Sequence, residues 1–245
     1  MDTKDTRTVY NEDVIESGGY LYTGETIYSA VVATRKQTDE IHQLIKDNFP
    51  KNINILDIGC GDGKYTLELM RALRLKKIVG FDISDEGIKI ASKRLKTNEK
   101  KIASFTVGDA YQMSKKFKKG EFDLGVIRGV LHHMEEPKKA IREVSKVLNN
   151  VIVLEPNGYN PVLKVIEKLS PYHKKHGEKS YFPVFLDKWF LDNGYKMKYR
   201  KYFSIVPYFC PDWMVKVLKV VEPFFESLPL FNKFYCGGIL ILYSK

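Results

Sequence analysis

The chain has 245 residues, 44% of them hydrophobic and 29% charged, and its 40 Lys and Arg against 30 Asp and Glu give a formal net charge of +10. This is globular composition, with too many apolar residues for a disordered chain and no uninterrupted apolar run of about 18 residues that would span a membrane. The three cysteines, Cys60, Cys210 and Cys236, are odd in number and form no CxxC pair, which argues against a disulfide framework or a zinc site and for a reducing, cytoplasmic setting.

The opening MDTKDTRTVYNEDV has no apolar stretch of the signal-peptide kind. A tyrosine-rich segment with Tyr20, Tyr22 and Tyr28 leads into VVATRKQTDEIHQLIKDNF, whose apolar spacing predicts a helix that Pro50 stops. Strand and helix signals then alternate. INILDI, KIVGFDI, IASFTVGD, FDLGVIRG and NVIVLEP read as strands; GKYTLELMRALRL, SDEGIKIASKRLK and EEPKKAIREVSKVL read as helices. Ser84 is placed to cap the second of these helices and Pro137 to open the third. This β-α-β-α order predicts an α/β fold, a doubly wound parallel sheet covered by helices on both faces.

Beyond Pro156 the pattern changes. Residues 157–182 read as loop and helix, FPVFLDKWFLDNGY as a helix ending at Gly194, and KMKYRKYFSIV and GGILILYS as two strands pairing antiparallel at one sheet edge. PDWMVKVLKVVEPFFESL reads as an amphipathic helix kinked at Pro223. Its stripe of Trp213, Met214, Val217, Leu218, Val221, Phe224 and Phe225 reads first as core. The sharper alternatives are a substrate lid or, with Lys216 and Lys219, a weak membrane-surface contact. The whole chain is expected to be one domain: residues 1–49 a cap segment and helix, 50–156 a ligand-binding core, and 157–245 substrate-side insertions and closing strands.

The chemistry begins at NILDIGCGDGKYT. A dinucleotide loop needs G-x-G-x-x-G or a final Ala, so that helix and strand pack closely. Gly59 and Gly61 fit that pattern, but Lys64 stands in the last place. Asp57, at the strand's carboxyl end, would repel a pyrophosphate and attract a cation. Asp82 ends the next strand and Asp109 follows the third, so three successive strand ends carry acids in order. Singly, each has a plainer reading, such as an Asx turn for Asp109; together they are far more specific.

DIGCG, with the two later acids and the segments LHH…P and EPN, resembles the class I S-adenosylmethionine-dependent methyltransferases of the small-molecule type. That resemblance implies a Rossmann-like, three-layer α/β/α sheet of seven strands whose last strand is antiparallel. It implies S-adenosylmethionine as cofactor, held by Asp57, Gly59, Cys60 and Gly61 in the loop. Asp82 would meet the ribose, with Ile83 beside it on the cofactor; Asp109 and Ala110 would meet the adenine, and the loop with Arg128 and His132 would border the methionine part. His133 and Glu155 are the candidate bases, with imidazole suited to proton transfer near neutrality. Tyr20, Tyr28, Asn157, Tyr172, His173 and His176 are candidate substrate contacts. The spacing of His173, His176 and Glu178 fits no metal-ligand helix, and no metal is expected.

The expected activity is methyl transfer to a small-molecule acceptor with an apolar or aromatic part. Two alternatives stand beside it: an RNA methyltransferase, for which the basic charge would supply phosphate attraction, and a non-catalytic S-adenosylmethionine-binding partner protein. No appended RNA-binding segment is visible in the sequence, and the fourth strand leads to RGVLHH rather than to an amino-methylating Asp/Asn-Pro-Pro-aromatic motif. No motif of the chain specifies the acceptor atom or an oligomeric state.

Overall fold

The computed structural model describes residues 7–8, 10–12, 14–15, 26–169, 179–208 and 210–245. In chain order the elements are α1 (Tyr28–Asn48), β1 (Ile53–Ile58), α2 (Lys64–Ala72), β2 (Leu75–Asp82), α3 (Asp85–Arg94), β3 (Ala103–Val107), β4 (Leu124–Arg128), α4 (Pro137–Val147) and β5 (Asn150–Pro156). They continue with α5 (Pro161–Leu169), α6 (Pro183–Leu191), β6 (Lys196–Phe203), α7 (Asp212–Ser227), α8 (Phe231–Tyr235) and β7 (Gly238–Ser244). Short 3-10 turns cover Ala110–Lys115 and Leu131–His133.

The seven strands form one sheet in the order β3-β2-β1-β4-β5-β7-β6. β1 to β5 are parallel, and β7 runs antiparallel to both β5 and β6. The closing pair lies together and antiparallel at one side of the sheet, as the sequence pattern predicts, with β6 at the edge and β7 between it and β5. The central strands β1, β4, β5 and β7 are mostly apolar and buried because both faces are covered there, whereas the edge strand β6, KMKYRKYF, is largely exposed. In β1, Leu56 and Ile58 enter the core beside α4 and α6, while Ile53 and Ile55 enter the opposite core beside α1 and α2. This is the two-residue alternation of a strand. On the first side Phe190 of α6 stacks on Tyr243 of β7 at 4.0 Å between ring centroids.

Local signals set the helix ends. The Ser84 hydroxyl accepts from the Gly87 amide at 2.9 Å, and Pro137 opens α4. α7 departs from its expected packing. It is a single helical run through Pro223, yet Trp213, Val217 and Phe224 are exposed and Met214, Leu218, Val221 and Phe225 only half-buried. The buried residues of α7 are Val215 and Glu222. The reason is an inward polar seam. The Ile205 amide donates to Glu222 at 3.0 Å, and the Ser204 amide to Glu226 at 2.8 Å. Lys36 of α1 reaches both carboxylates, at 3.6 and 3.1 Å. Burial alone would lower the Lys36 pKa, but Glu226 and Glu222 more than offset this and hold it above its ordinary value. Satisfying these charges fixes the rotation of α7 and leaves its apolar stripe outside.

Candidate functional site

The sheet reverses its winding between β1 and β4, so a crevice opens at their carboxyl ends, where open α/β sheets bind ligands. The loop from β1 enters it through Gly59, Gly61 and Gly63, all at positive φ (76°, 55° and 73°). Two of these have a second reason to lack a side chain. A Cβ on Gly59 would lie 2.3 Å from Val130 Cγ2, and one on Gly63 would lie 2.6 Å from Ala91 Cβ. Close packing of loop and helix is thus achieved by Gly63, one place before Lys64.

Asp57 is buried beneath this loop and accepts from the Thr66 hydroxyl at 2.5 Å. Burial pushes its pKa up to about 6, against the opposing pull of Thr66 and of the Arg128 charge. Asp82, at the end of β2, accepts from the Gly61 amide and the Ser84 amide, both at 2.8 Å. Burial raises its pKa too, with those amides opposing the shift. Two bonds leave a carboxylate with further acceptor capacity. Asp109 follows β3 and caps its 3-10 turn, its Oδ1 accepting from the Tyr111 amide at 2.8 Å.

The fourth wall is the turn after β4, and Glu155 of β5 builds it. Its Oε1 accepts from the Val130 and Leu131 amides at 3.0 and 2.8 Å. Its Oε2 accepts from the His132 amide at 3.2 Å and lies 2.7 Å from His132 Nδ1. His133 ends this turn, its ring 3.9 Å from that of His132 and edge-on to Tyr10 at 5.6 Å between centroids. The described N-terminal residues also reach the other end of the crevice. Arg7 Nε donates to the Ile83 carbonyl at 3.1 Å, and the Ser84 hydroxyl donates to Asn11 at 2.7 Å.

Residues 50–181 match the family model described as a methyltransferase domain. The chain belongs to the methyltransferase domain family.

A demethylmenaquinone methyltransferase from Lactococcus lactis subsp. lactis (strain IL1403) is 30% identical over 120 residues, covering 47% of this chain and 46% of that protein. A demethylmenaquinone methyltransferase from Thermotoga maritima is 28% identical over 214 residues, covering 84% and 83% of the two chains. The chain thus spans less than half of the first relative and most of the second. In fold it resembles the magnesium protoporphyrin IX methyltransferase of Synechocystis PCC 6803 with bound SAH, with a TM-score of 0.68, 17% identity and full coverage of both chains. The seven-stranded sheet with its antiparallel β7 is the class I methyltransferase architecture, and S-adenosylmethionine is the cofactor of that class.

The donor set of this methyltransferase domain fits that cofactor. Acids at three strand ends suit a ligand bearing an ammonium, a sulfonium and ribose hydroxyls, and the positive-φ glycines admit it to the backbone. Other candidates make contacts within the fold itself. The Cys60 side chain packs inward against Gly80, and burial pushes its thiol well above its usual range, so only its backbone belongs to the loop wall. Arg128 latches α1, donating to the Thr38 hydroxyl at 2.9 Å and the Thr34 carbonyl at 2.8 Å while stacking on Tyr65 at 3.6 Å.

Asn157 does not face the crevice. It is fully buried and donates to the Lys233 and Cys236 carbonyls at 2.9 and 2.8 Å, pinning α8 to the start of β7. Its strand-end position suggested a substrate contact, but the backbone of α8 consumes its amide. Glu155, expected as a base, instead has both oxygens engaged by the turn it holds. Tyr28 opens α1 and is partly exposed. Tyr20, Tyr172, His173 and His176 lie outside the described residues.

Several contributors carried no readable signal. Thr66 supports Asp57, and buried Asp62 pairs with Arg94 at 2.9 Å to tie the glycine loop to α3. Tyr10 and Asn11 sit in a polar opening segment whose approach to the crevice has no sequence motif.

Proposed function

We propose that the protein transfers the methyl group of S-adenosylmethionine to a small acceptor with an apolar or aromatic part. The reading is carried by the convergence at one crevice of the glycine loop, the three strand-end acids and the His133 turn. The relatives named for demethylmenaquinone support a small-molecule acceptor, as does the neighbour named for magnesium protoporphyrin IX.

When bound, S-adenosylmethionine supplies a methyl group activated by a positively charged sulfur. Above pH 6 Asp57 is ionised and offers a buried negative charge to the cationic ligand. The remaining lone pairs of Asp82 accept ribose hydroxyls, and Asp109 with the Ala110 amide reads the adenine edge. Displacement at carbon needs chiefly alignment and a dry site. His133 takes the acceptor's proton, and Glu155 acts through the turn it positions. Arg7, Tyr10 and Asn11 close the crevice from Ile83 to His133.

Calorimetry with S-adenosylmethionine and S-adenosylhomocysteine tests the cofactor assignment. Binding by the wild type with loss of at least about tenfold in Asp82→Ala is expected; absent or unaltered binding sinks it. Transfer of labelled methyl groups to aromatic small molecules, against bulk RNA, tests the acceptor class. Label appearing only in RNA would replace the small-molecule reading.

A further inference from the structure

α7 presents a row of apolar side chains directly opposite its attachment to the protein. Trp213, Val217, Val220 and Phe224 are 65%, 56%, 80% and 63% exposed. They recur at spacings of four, three and four, which at about 100° per residue puts them on one narrow stripe. The buried Val215 and Glu222 lie on the reverse side.

The stripe continues onto α8. Phe224 meets Phe225 at 5.8 Å between centroids, Phe225 meets Tyr235 at 6.1 Å, and Tyr235 meets Phe231 at 6.1 Å. Phe231 and Tyr235 are themselves half-exposed. Scattered exposed apolar residues need no explanation, but a contiguous aromatic surface on two adjacent helices does.

The exposed charges in the body of this surface are positive. Glu222 and Glu226, the acids in the body of α7, turn inward to Lys36 and to the backbone amides of Ser204 and Ile205. Lys216 and Lys219 of α7 stay exposed, and Lys233 of α8 lies 4.3 Å over the Tyr159 ring. Asp212 is outward only at the helix N-terminus, where a negative charge favours the helix itself. The chain as a whole carries +10. Apolar side chains led by an exposed Trp and flanked by lysines match a bilayer interface of anionic headgroups over acyl chains. Among the described residues no helix is long and apolar enough to cross a membrane, so the contact is one of a helix lying on the surface.

We propose that the outer face of α7 and α8 docks on an anionic lipid surface. α8 leads directly into Gly238, where β7 begins beside Pro156 at the carboxyl end of β5. The docked face is therefore at the same end of the sheet as the crevice. The proposal does not depend on which acceptor is methylated or on whether methyl transfer occurs.

The test is cosedimentation of the full chain with vesicles of equal parts phosphatidylcholine and phosphatidylglycerol, and with phosphatidylcholine alone. The wild type is expected to sediment with the mixed vesicles, less with the neutral ones, and less at high salt. Val220→Asp with Phe224→Asp should weaken binding about tenfold or more, and Lys216→Glu with Lys219→Glu should weaken it on anionic vesicles only. All four positions are exposed, so thermal midpoint and S-adenosylhomocysteine affinity should match the wild type. Failure of the wild type to sediment overturns the proposal, as does unchanged binding in both double variants. A dimer seen by light scattering and dissolved by the Val220/Phe224 substitutions would assign the face to a second copy and equally overturn it.

Discussion

Asp57 is a carboxylate that burial pushes up to about 6, and the sign of its pH effects follows. Its folded pKa exceeds the unfolded value of about 3.9, so its buried charge costs stability above pH 6, less as pH falls through 6, and nothing below about 4. Affinity for a cationic cofactor runs the other way, because it needs the ionised form. S-adenosylmethionine binding should therefore weaken below pH 6, by about tenfold per unit at the limit. Asp57→Asn should flatten that dependence in calorimetry across pH 5 to 8. Gly59 makes a second residue-scale case. Gly59→Ala forces a left-handed conformation costing about 1–2 kcal/mol and drives a methyl group into Val130. A lowered thermal midpoint and weakened S-adenosylhomocysteine binding are expected, with partial recovery when Val130→Ala is added. The glycines and the three acids were legible in sequence because a loop motif constrains residue type at fixed spacing. Thr66, Asp62 and Arg94 were not, because their partners are set by where helices land on the sheet.

At the scale of elements, the strand-helix alternation was readable because both faces of the sheet's centre are covered and the strands there are mostly apolar. The tie between β5 and the turn after β4 was not. Glu155 looked like a base at a strand end, and its four contacts make it a fastener for residues 130–132. Glu155→Gln should lower the thermal midpoint and weaken S-adenosylhomocysteine binding together, since removing a buried acceptor charge costs about 1–3 kcal/mol. A base alone would give a variant that melts and binds as the wild type does but transfers no methyl. α7 shows the same limit from the other side. Its amphipathic pattern is plain, but the inward face was decided by Lys36 and two loop amides, partners contributed by α1 and by the chain after β6.

Over the whole molecule, the N-terminal residues join both ends of the crevice, Arg7 and Asn11 at the loop after β2 and Tyr10 at His133. Replacing Arg7 and Asn11 together by Ala should speed release of S-adenosylhomocysteine several-fold in stopped-flow measurements. The thermal midpoint should barely move, because surface polar contacts contribute little to stability. By itself the sequence determined the alternating α/β order, the glycine loop and the acids at successive strand ends. These depend on local periodicity and on which residue types a tight turn or a strand end admits. Only the tertiary structure decided that β7 lies inside the sheet, that Glu155 and Asn157 are fasteners, and that α7 turns its aromatic stripe outward. Each depends on hydrogen bonds and ion pairs between segments far apart in the chain, and no local pattern encodes which buried polar group will find which partner.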